Sequence, residues 1–393
     1  MSDFYTRALE FFSYTQAMRR DFHMHPELGF QEVRTAGIVA RELQQLGLEV
    51  TTGVGKTGVV ALIEGNRPGP TLLLRADMDA LPIVEQTGAE YSSQNRGVMH
   101  ACGHDGHTAI LLTVAKILNS CRDKFPGTIK LVFQPAEEGQ GGAESMIADG
   151  IFENPRVDVT FGLHLWNEQP VGWLGIAEGS TMAGAEIFNI TITGKGGHGA
   201  MPQTTIDPVL AGAHIVTALQ SVVSRNIAPL DSAVVSVTQF HGGDAFNVIP
   251  QTVELGGTIR TFKLEVRDIV LKRVEEVVIK TAEAFGCQAE FKNTRLTPAV
   301  INDAGTIKLV QSAAQKALPE LTVDSSAPIT MGSEDFAYMM EKVAGCFVFV
   351  GSANAERGLN YSHHHPKFDV DEKALSYAAA LMAQSAVEIL NSK

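Results

Sequence analysis

The sequence predicts an α/β protein in two parts: a mixed, mostly parallel sheet flanked by helices, interrupted by an inserted ferredoxin-like α+β domain. Three observations carry this prediction. Short apolar runs alternate with helix-period segments from residue 59 to residue 163 and again after residue 300, the pattern of strands joined by crossover helices. Between these stretches the texture changes, and residues 186–298 read β-α-β-β-α-β, a split pattern that completes a small sheet by itself. A chain of 393 residues, 45% hydrophobic and 19% charged, also has enough apolar material for two cores. We place the main domain at 1–182 and 297–393 and the insertion at 183–296.

In order, Phe4 to Asp21 has helical apolar spacing. His23-Met24-His25-Pro26 is expected to break it into a loop, because proline disfavours helix before it. Arg34 to Leu46 reads as a helix ended by Gly47, and Val59–Glu64 and Thr71–Leu74 as strands. Asp77 lies just past the second strand, where open α/β sheets place their chemistry. His100 to His107 gathers three histidines, Cys102 and Asp105 in eight residues and feeds a helix over 108–118. The partial positive charge of that helix end is expected to favour a thiolate at Cys102. Gly127–Phe133 is a strand that delivers Glu137 and Glu138. Neighbours on a regular strand face opposite ways, so the pair shares one side only past the strand end, as Pro135 implies. Val157–Leu163 hands over His164 at its end.

In the insertion, Glu186–Thr193 alternates like a half-buried strand, and a glycine-rich loop carries His198. A helix over 207–224, a strand over 233–240, the Asn247 loop, a strand over 252–262 containing Arg260, a helix over 264–285 and a strand over 289–298 follow. The main domain then resumes with a helix over 303–318, the loop-to-helix stretch Met331–Phe336 and a strand over 346–350. A loop with His363, His364 and His365 before Pro366 leads into the closing helix at 372–390.

A formal net charge of −13 with no long basic run argues against nucleic acid and acidic membranes as partners. No apolar run reaches the roughly 18 residues of a spanning helix, and the N-terminus lacks a signal-peptide core. Cys102, Cys121, Cys287 and Cys346 are too scattered for a disulfide framework. The expectation is a cytoplasmic enzyme.

Cys102, His104, Glu137, Glu138, His164 and one of His363 to His365 mix thiolate, imidazole and carboxylate. That mixture suits zinc best, and also fits cobalt, nickel or manganese. It exceeds what one catalytic tetrahedral ion needs, and two ions would use it all. A glutamate left unligated serves as general base, and the chemistry is then amide hydrolysis. Two rival readings remain open on the residues alone. Cys102 is then a nucleophile with His104 or His107 as its base, or the cluster is a closed structural zinc site in a binding module.

The stretches RADMDALP, HACGHDGHTA, PAEEG, GLHLW, GKGGHGAMP, NVIP, MGSEDF and HHHPKF resemble the aminoacylase and carboxypeptidase family of co-catalytic metallopeptidases. The branch they most resemble contains hippurate hydrolases, N-acetyldiaminopimelate deacetylases and plant hydrolases of indole-acetate–amino-acid conjugates. The resemblance implies two divalent ions held by Cys102, His104, Glu138, His164 and His364. It implies Glu137 as general base, with Asp77 orienting a ligand. It implies that His198 helps bind the substrate carbonyl, often across a dimer interface, and that Asn247 and Arg260 hold the substrate carboxylate, which an arginine fork matches. The wider family has histidine and aspartate in the Cys102 region. The expected activity is hydrolysis of N-acyl-L-amino acids by a homodimer joined through the inserted lid; the alternative substrates are short peptides, cleaved as by a carboxypeptidase or dipeptidase.

Overall fold

The computed structural model describes residues 3–327 and 329–392. The chain divides into two compact units, one made of Met1–Gly179, Ile301–Pro328 and Asp335–Lys393, the other of Ser180–Val300 and Ile329–Glu334.

Among the described residues, the first unit holds an eight-stranded mixed sheet. Its strands lie in the order Glu49–Val54, Gly58–Glu64, Thr128–Gln134, Thr71–Asp77, Val159–Pro170, Gly345–Ala353, Trp173–Gly175, Thr322–Asp324. The centre is parallel: Thr71–Asp77 runs parallel to both its neighbours, and Val159–Pro170 parallel to Gly345–Ala353. Thr71–Asp77 is buried at every position, as a parallel strand covered on both faces must be. The helices His104–Asn119 and Lys373–Asn391 pack together and are apolar on nearly all sides, so each is buried along most of its length. This is the mixed α/β architecture expected from the sequence.

Two local expectations are corrected. The helix Phe12–Met24 continues through His23, which is buried in it. The restriction imposed by Pro26 falls on His25 alone, which leaves the helix with φ −127° and ψ 57°. His164 lies inside a strand, not at its end. Val159–Pro170 pairs with Thr71–Asp77 only as far as Gly162 opposite Arg75, then continues beside Gly345–Ala353 with Phe349 opposite His164. His164 is therefore past the last rung it shares with the Asp77 strand.

The second unit is a four-stranded antiparallel sheet in the order Ala233–His241, Thr252–Thr261, Gly184–Thr193, Gln288–Thr297. Pro208–Asn226 and Leu264–Ala284 pack on each other and against it. Along Gly184–Thr193, Phe188, Ile190 and Ile192 are buried while Ile187 and Asn189 are exposed, the period of two of a sheet covered on one face. Val270, Val274 and Val278 complete the core from the helix side. Asp207 caps the first helix by accepting the N–H groups of Val209 and Leu210.

Candidate metal centre

Register brings the acidic residues together. Asp77 and Gln134 are opposite each other at the ends of adjacent parallel strands. Beyond Gln134 the chain turns through Pro135 and Ala136, and Ala136 takes φ +53°, a left-handed conformation unusual for a residue with a Cβ. The Asp79 carboxylate then accepts two successive amides, Glu137 N–H at Oδ1 and Glu138 N–H at Oδ2, both at 3.0 Å. Gly142 closes the turn where a Cβ would lie 1.6 Å from the Pro135 carbonyl oxygen.

The imidazoles are set by their far nitrogens. His104 Nδ1 donates to the Asp79 carbonyl at 2.9 Å and His164 Nδ1 donates to the Leu165 carbonyl at 2.6 Å. A carbonyl can only accept, so in its neutral form each ring carries its proton on Nδ1 and its lone pair on Nε2. His164 Nε2 lies 3.5 Å from Cys102 Sγ. His104 Nε2 is buried with no hydrogen-bond partner among the described residues. His364, with φ +65°, is tied by its N–H to the Ala101 carbonyl at 2.8 Å, and its Nε2 lies 3.2 Å from Glu138 Oε1.

Clusters of ligand atoms with mutual distances within 4.8 Å result, among them Cys102, His104 and His164; Cys102, Glu138 and His364; His104, Glu137 and Glu138; and Asp77, His104 and His107. Cys102 is common to the first two. All five residues expected as ligands, and Glu137, thus fall in one connected group. Of the three consecutive histidines only His364 joins it. His363 stacks on Trp166 with 4.8 Å between ring centroids and bonds to the Leu165 carbonyl, while His365 stacks on Tyr361.

Asp77 is held on both oxygens, by His107 Nδ1 at 2.7 Å and Arg75 Nη1 at 2.7 Å. His107 Nε2 accepts the Leu165 N–H, so its Nδ1 carries the proton given to Asp77. Arg75 continues to Gln134 and Asp335, and the Asp335 carboxylate also accepts Gln134 Nε2 and Ala143 N–H.

The electrostatics draw positive charge inward. Burial opposes ionisation of Asp77, but His104, His107 and Arg75 hold its carboxyl well below the usual range. Burial disfavours charge on His104 as well, yet Asp77, Asp79 and Glu138 raise it to about 10. His164 is kept neutral by burial and by His107 and His363. Cys102 corrects an expectation: burial, then Glu138, Glu137 and Asp77, push its thiol well above the ordinary value. Burial and the surrounding carboxylates together outweigh the helix end in the protein alone. An unpartnered buried imidazole nitrogen on His104, a neutral His164 and a thiol among carboxylates are a donor set that fits divalent ions.

His198, Asn247 and Arg260 belong to the second unit. His198 and Val248 pair across a two-stranded ribbon, which sets Asn247 beside Gly199 through a 2.7 Å backbone bond. Arg260 is half-buried on another strand and donates from Nη1 to Ser333 Oγ at 3.0 Å. Sequence reasoning named His107 only as a base for a Cys102 nucleophile and passed over Asp79, Arg75, Gln134 and Asp335 as members of the site. Asp79 and Arg75 stand in the RADMDALP stretch and Asp335 in MGSEDF, whereas Gln134 carried no motif.

The chain is similar to characterised proteins over nearly its whole length. It is 44% identical over 374 residues to N-acetylcysteine deacetylase of Bacillus subtilis, covering 95% of this chain and 96% of that one. It is 41% identical over 385 residues to IAA-amino acid hydrolase ILR1-like 4 of Arabidopsis thaliana, covering 97% and 87%. Among solved structures, the Bacillus subtilis YXEP protein, described as a dinuclear metal binding peptidase from the M20 family, superposes with a TM-score of 0.87 at 38% identity, covering 98% of this chain and 99% of that one. Residues 73–388 match the profile of peptidase family M20/M25/M40. The chain belongs to peptidase family M20/M25/M40 and is a metal-dependent hydrolase.

Proposed function

We propose that the chain hydrolyses the amide bond of N-acyl-L-amino acids, with two divalent ions per chain held by Cys102, His104, Glu138, His164 and His364. The observation that carries this reading is the sharing of Cys102 between two three-residue groups of ligand atoms, with Glu137 beside them. Zinc suits the thiolate and imidazole ligands best, and manganese, cobalt and nickel fit the same set. When bound, the ions supply Lewis acidity, acidifying a water and polarising the amide carbonyl. Glu137 takes the proton of the attacking water on its carboxylate and delivers it to the leaving nitrogen. Asp77 orients the site through its fixed bonds to His107 and Arg75. His198, Asn247 and Arg260 recognise the substrate, with Arg260 as the group suited to a carboxylate. The N-acetylcysteine and IAA–amino-acid activities in the names of the relatives support an acylated amino acid as substrate.

We further assign the protein to the cytoplasm, as a homodimer joined through the second unit. The four unpaired cysteines support a reducing compartment, and exposed Leu210, Phe240 and Phe246 support association. Among the described residues no helix is long and apolar enough to cross a membrane. The test is steady-state hydrolysis of a panel of acetyl-, benzoyl- and indoleacetyl-amino acids beside unblocked dipeptides and C-terminal peptide substrates, after metal loading. The reading expects the acylated amino acids to give the highest kcat/KM. Preference for unblocked or longer peptides would make the chain a dipeptidase or carboxypeptidase.

A further inference from the structure

Three consecutive amides, those of Ala136, Glu137 and Glu138, are taken by two carboxylates distant in sequence. Asp79 holds the second and third. The first belongs to Glu32, a residue with no assigned role: the Ala136 N–H donates to Glu32 Oε1 at 2.9 Å, and Thr57 Oγ1 donates to Glu32 Oε2 at 2.6 Å. Both Glu32 and Ala136 are fully buried. Ala136 is the residue in the left-handed conformation, where a Cβ is disfavoured, and such strain persists only when its surroundings over-determine it. The surroundings here are specific. Gly142 N–H bonds to the Ala136 carbonyl at 3.1 Å, and a Cβ on Gly29, in the same loop as Glu32, would lie 3.0 Å from the Ala136 Cβ. That loop is itself anchored beside Asp79, since Ala80 N–H bonds to the Glu27 carbonyl at 2.8 Å.

From this geometry we propose that Glu32 is a positioning residue: it holds the left-handed turn at Ala136 that aims Glu137 and Glu138 at the same cluster. Without this kink, two consecutive side chains of an extended segment point to opposite faces; with it, the carboxylates of both fall within 4.8 Å of a His104 nitrogen. The inference deepens the proposed function, resting on Glu138 as a ligand and Glu137 as the base. It assigns their shared orientation to a residue that bonds the main chain of the turn at Ala136.

The test combines amide hydrogen exchange of the metal-free protein with Co2+ titration, on wild type, Glu32→Ala and Glu32→Gln. Glutamine keeps an oxygen acceptor for the Ala136 amide, and alanine does not. In Glu32→Ala, exchange at residues 136–138 should accelerate while the helix 104–119 stays protected, and Co2+ affinity should fall about tenfold, the lower range for loss of a residue supporting a ligand. Glu32→Gln should restore most of both. Unchanged protection at 136–138 in a folded Glu32→Ala overturns the proposal, as does accelerated exchange with wild-type Co2+ affinity, or a folded Glu32→Gln as defective as alanine. Should alanine fail to fold, Glu32→Asp, one methylene too short, must show the same local loss. A wild type that binds no Co2+ contradicts the metal reading instead, and the exchange measurements then decide for Glu32 alone.

Discussion

Replacing Glu137 with glutamine separates the roles of two adjacent acids. The substitution keeps the side-chain size and the main-chain bond from residue 137 to Asp79 at 3.0 Å. It leaves Cys102, His104, Glu138, His164 and His364 untouched and removes only the proton acceptor. A positioned general base contributes about 10²–10⁴-fold, or roughly 2.7–5.4 kcal/mol at about 1.36 kcal/mol per decade. Glu137 is only half-buried, so folding stability should change by less than about 1 kcal/mol. Its carboxylate is close enough to His104 and Glu138 to touch an ion, so rate alone does not discriminate. The assay is therefore kcat on the acyl-amino-acid panel together with Co2+ affinity, for Glu137→Gln and Glu138→Gln side by side. Glu137→Gln should lose the full factor in kcat and keep its Co2+ affinity; Glu138→Gln should lose the affinity. Near wild-type turnover in Glu137→Gln, or loss of metal there with retention in Glu138→Gln, would refute the assignment.

Arg75 is fully buried between Asp77, Asp335 and Gln134, and Arg75→Met removes the cation that two buried carboxylates share. Urea unfolding should show a loss of about 3–5 kcal/mol; a loss near zero would mean the network contributes nothing. Stability should also depend on pH through His23. Burial opposes its charge, but Asp105 at 2.8 Å and Glu85 at 3.3 Å raise it to about 9 from 6.5. A raised pKa gives stability that is complete below pH 6.5 and drains away as pH rises through 9, about 3 kcal/mol in all. His23→Gln should flatten that alkaline limb, and an unaltered limb would contradict the linkage. Glu85, driven against burial to about 2 by His23, acts in the opposite sense, its contribution being lost as pH falls from 4.5 through 2. Arg260→Lys removes the fork held by Ser333, so KM should rise about tenfold with kcat nearly unchanged. An equal fall in kcat and kcat/KM would instead place Arg260 in the reacting step.

The fold class could be read from the sequence because apolar periodicity marks buried strands and helices directly. Asp77 and the Glu137–Glu138 pair stood out because each follows an apolar run, and Cys102 and His104 because their cluster opens one. What the sequence concealed is non-local. The length of Val159–Pro170 depends on its second neighbour, Gly345–Ala353, so the apparent strand end before His164 was only the end of an apolar run. His23 reads as a loop histidine until Asp105 and Glu85 are packed around it. Ala136 carries no mark of a left-handed turn, which Glu32 and Gly29 impose from more than a hundred residues away. The helix end beside Cys102 is local in sequence, whereas the burial and the carboxylates that raise its thiol are not.

The central claim is that this one cluster binds two cations and that hydrolysis depends on them. Metal content per chain, measured by native mass spectrometry after chelator stripping and refilling with zinc, manganese, cobalt or nickel, tests it most directly, with turnover followed at each stoichiometry. We predict two ions per refilled chain and no turnover in the stripped one. In Cys102→Ser, which changes the residue common to both groups, both ions should be weakened. Undiminished turnover in a chain carrying no metal, or saturation at a single ion with full activity, would contradict the account.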